Sequence, residues 1–163
     1  MTPDFFMKEA LVEAERAFFI GEVPIGAVIE YSGSIIGRGH NCTESQKDPT
    51  AHAEIIAIRQ AANALGGWRL VGANIYVTAE PCAMCAGAIV LARIENIYIG
   101  TMDPKTGACG SLMNIPQDSR LNHNANIHIG IFEEECSMLI KEFFRDLRKQ
   151  KSSQRIQQED NKI

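Results

Sequence analysis

The stretch that decides the fold is residues 73–94, ANIYVTAEPCAMCAGAIVLARI. Its first part, "ANIYVTA", is rich in β-branched and aromatic residues and predicts a strand. Its second part, "PCAMCAGAIVLARI", predicts a helix with a proline in its first turn. Cys82 and Cys85 therefore lie at a strand-to-helix junction, and their spacing points both sulfurs the same way. Such a pair fits half of a structural zinc site, a redox couple or two ligands of a catalytic metal.

The segments on either side continue the alternation of strands and helices. Upstream, the pattern predicts a helix over about residues 4–19, two strands that turn at Ser32-Gly33, and a helix that begins near His52. Downstream it predicts the strands "ENIYIG" and "NIHIGI", separated by the irregular residues 101–125, and then a helix, "EEECSMLIKEFFRDLRKQ". A hairpin followed by alternating strands and helices predicts an α/β fold with a mixed sheet and helices on both faces.

Length and composition predict one domain. The 163 residues, 45% of them hydrophobic, suffice for a single core, which we expect over 1–151 with a polar tail over 152–163. No apolar run reaches the roughly 18 residues of a membrane span, so we expect no membrane partner. The N-terminus lacks the basic and apolar regions of a signal peptide, and the five cysteines are an odd number. We therefore expect a cytoplasmic protein whose cysteines serve a metal or catalysis.

The charge is unevenly distributed. A net charge of -4 argues against a globally basic nucleic-acid binder. Residues 141–155, however, contain six basic and two acidic side chains, so they carry +4 and leave -8 on the rest of the chain. This basic end fits a footprint for phosphates, and it equally fits a solvated helix end whose basic residues suit the helix dipole.

Cys82 and Cys85 need further ligands if they bind a metal. His52 is the best candidate because it also begins a helix, and helix N-termini gather at one edge of such sheets. Three protein ligands are the number found in catalytic zinc sites, which keep one position open. Glu54 is suited to general acid and base catalysis at that position. We therefore predict one Zn²⁺ per chain, while a thioredoxin-like redox pair remains a competing interpretation.

Two motifs carry a resemblance to a known family. "HAE" at 52–54 and "PCAMC" at 81–85 resemble the H-x-E…P-C-x-x-C signature of zinc-dependent nucleoside and base deaminases. From about Glu22 to Arg148 the chain resembles the bacterial tRNA-specific adenosine deaminases, through "GEVPIGAVI", "GRGHN", "DPKTGACGSL" and "FFRDLR". The resemblance implies a three-layer α/β/α sandwich with a five-stranded mixed sheet, cytidine deaminase-like, and a homodimer. It also implies hydrolytic conversion of adenosine to inosine at the wobble position of a tRNA anticodon stem-loop.

The same resemblance implies roles for individual residues. His52, Cys82 and Cys85 match the zinc ligands, and Glu54 matches the proton shuttle. The residues implied to bind substrate are Asn41, Asp103, Lys105, Phe144 and Arg145. Plainer interpretations exist, because an asparagine and an Asp-Pro pair both form turns and adjacent phenylalanines pack in cores. For Phe143 we expect packing against the first helix, which leaves Phe144 to stack on a base.

Three other functions compete with this one. A free-base or nucleoside deaminase acting on guanine or cytosine would share every metal residue, but it has no need of the "DPKTGACGSL" loop or the basic, aromatic "FFRDLRKQK" end. A redox or structural module would use Cys82 and Cys85 without catalysis. A noncatalytic RNA-binding relative would have no use for Glu54. Cys42 and Cys109 are expected to be bystander thiols, and Cys136 a core residue.

Overall fold

The computed structural model describes residues 1–160, which form five helices and five strands. Among these residues no helix is both long and apolar enough to cross a membrane. In chain order the elements are α1 Pro3–Phe19, β1 Gly26–Tyr31, β2 Ser34–His40, α2 Thr43–Gln46, α3 Ala53–Leu65, β3 Asn74–Ala79, α4 Ala83–Leu91, β4 Asn96–Thr101, β5 Asn126–Ile129 and α5 Glu133–Asp160.

The five strands form one mixed sheet in the order β2-β1-β3-β4-β5. Strand β1 pairs antiparallel with β2 and β3, while β3, β4 and β5 run parallel. Helices α1 and α5 pack on one face of the sheet, and α3 packs with α4 on the other. The predicted α/β/α sandwich around a five-stranded mixed sheet is therefore confirmed.

The central strands are buried on both faces. Successive side chains of a strand point to opposite sides, so Ile29, Ile75 and Ile97 join the core under α3 and α4. Val28 and Tyr76, one position away, join the second core under α1. Burial on both faces explains why these strands appear in the sequence as almost continuous apolar runs.

The hairpin between β1 and β2 turns where the sequence predicts. Ser32 and Gly33 both have positive φ, 50° and 82°, as the central residues of a two-residue type I′ turn require. This connection leaves β2 antiparallel to β1, so β2 ends at the same end of the sheet at which α3 begins.

The structure departs from the predicted elements in three places. Helix α4 begins at Ala83 with Cys82 as its N-cap, so Pro81 precedes the helix and is not part of its first turn. A short helix, α2, lies within the polar segment that was expected to be a loop. Helix α5 continues to Asp160, ten residues beyond the predicted end, because residues 151–160 contain no glycine or proline that would stop it. The predicted polar tail is therefore helical as far as 160, and its last residues, 161–163, lie outside the described residues.

Candidate metal centre and active site

The two helices of one layer begin at the same place. His52 is the N-cap of α3 and Cys82 is the N-cap of α4, both with extended backbone, and Cys85 lies in the first turn of α4. His52 Nδ1 is 3.7 Å from Cys82 Sγ and 3.5 Å from Cys85 Sγ. The three ligand atoms lie within 4.8 Å of one another. The structure thus brings together the three residues that the sequence proposed as ligands.

The donor set fits zinc. A tetrahedral zinc with a Zn–N distance of about 2.05 Å and a Zn–S distance of about 2.3 Å holds nitrogen and sulfur about 3.6 Å apart. The observed separations of 3.5 and 3.7 Å match that value, and zinc favours mixed nitrogen and sulfur ligation. Within the described residues the group contains three candidate ligands, which is the number in catalytic sites.

The sulfurs are prepared for a cation. The hydrogen bond from the Cys85 thiol, followed by the one with His52, lowers the pKa of Cys82 to about 4. The same bond with Cys82, together with burial, raises the pKa of Cys85. The hydrogen bond with Cys82 also raises the pKa of His52. A divalent cation would stabilise both cysteines as thiolates.

Glu54 lies in the first turn of α3 and is 3% exposed. Burial raises its pKa to about 7, and His52, Cys82 and Cys85 are among the groups that act on it. A carboxyl group that titrates near neutral pH can both accept and release a proton under physiological conditions. Glu54 is therefore a buried carboxyl group next to the candidate ligands.

Asn41 follows β2 and lies against the start of α3. Its Oδ1 accepts a hydrogen bond of 2.9 Å from the backbone N–H of Ala53, the first residue of α3. Its side chain is buried, and its Nδ2 donates to no protein acceptor within the described part of the chain. Asn41 thus caps the helix that carries Glu54 and leaves its amide NH₂ group for another partner.

The residues expected to contact substrate from the long loop are placed in a tight turn. The carboxylate of Asp103 accepts hydrogen bonds from the backbone N–H groups of Lys105 and Thr106 and from the Thr106 hydroxyl. This is the ordinary turn chemistry of aspartate. Lys105 is exposed on the crest of this turn.

Phe144 and Arg145 lie on α5, which packs on the other face of the sheet from α3 and α4. Phe143 packs edge-on against Phe18 of α1, with the ring centroids 5.9 Å apart, as expected from the sequence. Phe144 is 39% exposed and Arg145 is exposed. Phe144 and Arg145 therefore lie in a different layer of the sandwich from the candidate metal ligands.

Glu80, which follows β3 and precedes Pro81, is a site residue that was not among the predicted ones. Its side chain is only 4% exposed, and both carboxylate oxygens accept hydrogen bonds from the loop after β4. The signal was an acidic residue between a buried strand and a ligand pair. The thiol of Cys109 is buried in this loop, Cys42 is also buried, and Cys136 is a core residue as expected.

Comparisons with known proteins decide the family. Residues 1–148 match the model of the MafB19-like deaminase family. The tRNA-specific adenosine deaminase of Bacillus subtilis (strain 168) is 52% identical over 156 residues, which cover 95% of this chain and 97% of that protein. The chain belongs to the tRNA-specific adenosine deaminase family.

Solved structures agree with this family. One structure, from a study of A-to-I editing by tRNA:A34 deaminases at the wobble position of transfer RNA, has a TM-score of 0.80 at 47% identity and covers 83% of this chain and 98% of its own. The guanine deaminase of Bacillus subtilis is similar over a shorter stretch. Its TM-score is 0.60 at 39% identity, with coverage of 63% of this chain and 66% of that chain. The family therefore shares its fold with free-base deaminases.

Proposed function

We propose that this protein hydrolytically deaminates adenosine to inosine at the wobble position of a tRNA anticodon, using one zinc ion per chain. The observation that carries the proposal is the convergence of His52 Nδ1 with the two cysteine sulfurs at 3.5–3.7 Å, beside the buried Glu54. Membership of the tRNA-specific adenosine deaminase family supports the substrate.

Each residue of the group has a distinct role in this proposal. His52, Cys82 and Cys85 would hold the zinc, which when bound would supply Lewis acidity for the activation of water at neutral pH. Glu54 accepts a proton as the water oxygen bonds to the amino-bearing carbon of adenine. It donates this proton to the ring nitrogen, then accepts the remaining proton of the new C–OH group and passes it to the departing amine. The sum is adenosine plus water giving inosine plus ammonia, with Glu54 returned to its starting state.

We propose that the RNA contacts come from three elements. The free Nδ2 of Asn41 donates to the nucleoside, and the turn with Asp103 and Lys105 meets the nucleotides around it. Phe144 and Arg145 contact the RNA from α5, where Arg148, Lys151 and Arg155 line one groove. Cationic side chains that follow one helix face suit a phosphate backbone.

We also propose a homodimer in the cytoplasm, with catalysis carried by a single domain over residues 1–151. The exposed side of α4 supports a partner surface, because Met84 and Leu91 lie seven residues apart on the same side of the helix and are 37% and 69% exposed. The proposed tRNA substrate supports the cytoplasmic location.

The decisive experiment offers the purified protein an anticodon stem-loop with adenosine at the wobble position and, separately, guanine, cytosine and adenosine. We expect inosine in the RNA alone, and none with Glu54→Ala. Glu95→Ala, which changes an exposed glutamate just before β4, is the matched control and should remain active. Turnover of a free base without any RNA product would reject the proposal and favour the guanine or cytosine alternative.

A further inference from the structure

Glu80 accepts hydrogen bonds from both the first and the later part of the loop that follows β4. Its Oε1 accepts hydrogen bonds from the backbone N–H groups of Cys109, at 3.0 Å, and Ser111, at 2.9 Å. Its Oε2 accepts hydrogen bonds from the backbone N–H of Asp103, at 2.8 Å, and from the hydroxyl of Ser111. One buried carboxylate therefore satisfies four donors from a single loop.

The same loop packs directly on the residues that begin α4. The backbone N–H of Ala108 donates to the Pro81 carbonyl at 2.8 Å, and Gly107 pairs through its backbone with Cys82. A side chain at Gly107 would overlap the Glu80 carboxylate and the Asp103 carbonyl, so glycine is needed at this close approach. The loop is thereby attached to a candidate zinc ligand.

One part of this loop remains exposed to solvent. Residues 104–106 are exposed while residues 107–109 are buried. The Asp103 carboxylate shapes the exposed crest from within, by accepting from the N–H groups of Lys105 and Thr106. Glu80 holds the base of the crest, because two of its donors lie on either side of the turn, Asp103 directly before it and Cys109 three residues after it.

We infer that Glu80 is a positioning residue that holds the crest 104–106 at a set distance from Cys82, ready to receive the RNA around the reacting nucleotide. This inference rests on the proposed function. A loop held in its bound form spares the substrate the cost of ordering it. A carboxylate is required because four donors need two acceptor oxygens, whereas a glutamine has one oxygen and would point its NH₂ group at N–H donors.

The test compares Glu80→Gln with Glu95→Gln, which changes an exposed glutamate just before β4, at the opposite end of the strands from Glu80. For Glu80→Gln we expect the KM for the wobble-adenosine stem-loop to rise about tenfold, as for one or two groups that must be ordered on binding. We expect kcat to stay within about twofold, since the zinc ligands and the proton carrier are unchanged. Zinc should remain at one per chain. Glu95→Gln should leave KM unchanged.

Hydrogen exchange separates positioning from general support of the fold. In Glu80→Gln the peptides that contain Asp103, Cys109 and Ser111 should exchange faster, while those of the central strands should not. An unchanged KM with unchanged exchange overturns the inference. Loss of zinc with a normal KM in the zinc-loaded fraction also overturns it, because Glu80 would then support the metal helix.

Ser111→Ala keeps the inference testable if Glu80→Gln fails to fold. This variant removes one of the four hydrogen bonds and should raise KM by about two- to threefold, with faster exchange in the same peptides. No change in either measurement would overturn the inference. Failure of the proposed function is distinguishable, because an inactive wild-type protein would reject the RNA substrate while the exchange comparison would still test the role of Glu80.

Discussion

The Nδ1 atom of His52 lies 3.5 Å from the Sγ atom of Cys85, although 33 residues separate them in the sequence. The two atoms meet because α3 and α4 begin at the same edge of the sheet, and each helix contributes residues from its N-terminus. The geometry of the candidate ligand group therefore depends on how these two helices are placed relative to one another.

Replacing His52 with alanine should remove zinc binding. Loss of a partner behind a ligand costs about 10–100-fold in metal affinity, so loss of the ligand itself should cost more than about 100-fold. Zinc content after dialysis against a weak chelator measures the effect. His128→Ala, at the exposed edge strand β5, is the control and should keep one zinc per chain. A His52→Ala protein with full zinc would contradict the proposed ligand set.

Replacing Glu54 with glutamine should abolish turnover and leave the metal in place. The amide cannot carry protons, so we expect kcat to fall by about 10²–10⁴-fold. The KM for the stem-loop and the zinc content should stay near their wild-type values, because Glu54 is not among the candidate ligands. Single-turnover rates and metal analysis on the same sample provide the check. Residual activity within about tenfold of wild type would remove Glu54 from the proposed chemistry.

Asn41 combines a capping oxygen with a free amide group, and two variants separate these functions. Asn41→Ala loses the bond to the Ala53 N–H, so it should lower the free energy of unfolding by about 1 kcal/mol. Asn41→Asp keeps an acceptor at the helix N-terminus, so its stability should be close to wild type. Both should raise the KM for RNA, because both lose Nδ2. Wild-type KM in Asn41→Asp would show that Asn41 acts as a cap alone.

Neutralising a cation on α5 should flatten the salt dependence of RNA binding. Arg148 lines the groove that it shares with Lys151 and Arg155. If Arg148 contacts a phosphate, Arg148→Gln should reduce the slope of log K against log [salt] by about 1. Arg69→Gln is the control, because Arg69 is exposed before β3 at the edge away from Cys82. Equal slopes for Arg148→Gln and wild type would exclude this phosphate contact.

Glu22 should make stability depend on pH. Its buried carboxylate accepts hydrogen bonds from the backbone N–H groups of Ser45 and Glu44 at the start of α2. Burial raises its pKa, but these bonds outweigh burial, so the pKa lies below its ordinary value of 4.5. A carboxyl group whose pKa is lowered on folding stabilises the protein at pH values above its pKa in the unfolded state. This stability is lost as the pH falls through its pKa in the folded state.

Glu22→Gln should therefore reduce the free energy of unfolding by about 1 kcal/mol at pH 7, as for loss of a helix cap. The difference from wild type should shrink once the pH falls below 4.5. Urea unfolding between pH 3 and pH 7 measures this difference in the free energy of unfolding. The expected m-value is about 1–3 kcal/mol per molar urea. Glu44→Gln, an exposed neighbour, is the control. A constant difference across that range would rule out the carboxylate as its source.

Much of the fold could be predicted because it follows from local sequence patterns, namely the residue types of strands and turns. The segments around Ile75 and Ile97 predicted strands, and the structure forms both strands and buries these residues under α3 and α4. The turn at Ser32-Gly33 was predictable because its positive φ angles suit few residue types. The short helix α2 was missed because four polar residues have no apolar period, and its N–H groups depend on the distant Glu22.

The sequence by itself determined the five strands, the four longer helices, the mixed sheet and the candidate ligands, because side-chain spacing along a strand or helix is a local property. Tertiary structure alone decided that Glu80 ties the loop at Asp103 and Ser111, that Asn41 caps α3 and that Phe144 belongs to the opposite layer. These contacts join residues that are 12 to 31 positions apart. The reason is that such hydrogen bonds form only where packing of the layers brings a buried acceptor to donors that would otherwise lose their contact with water.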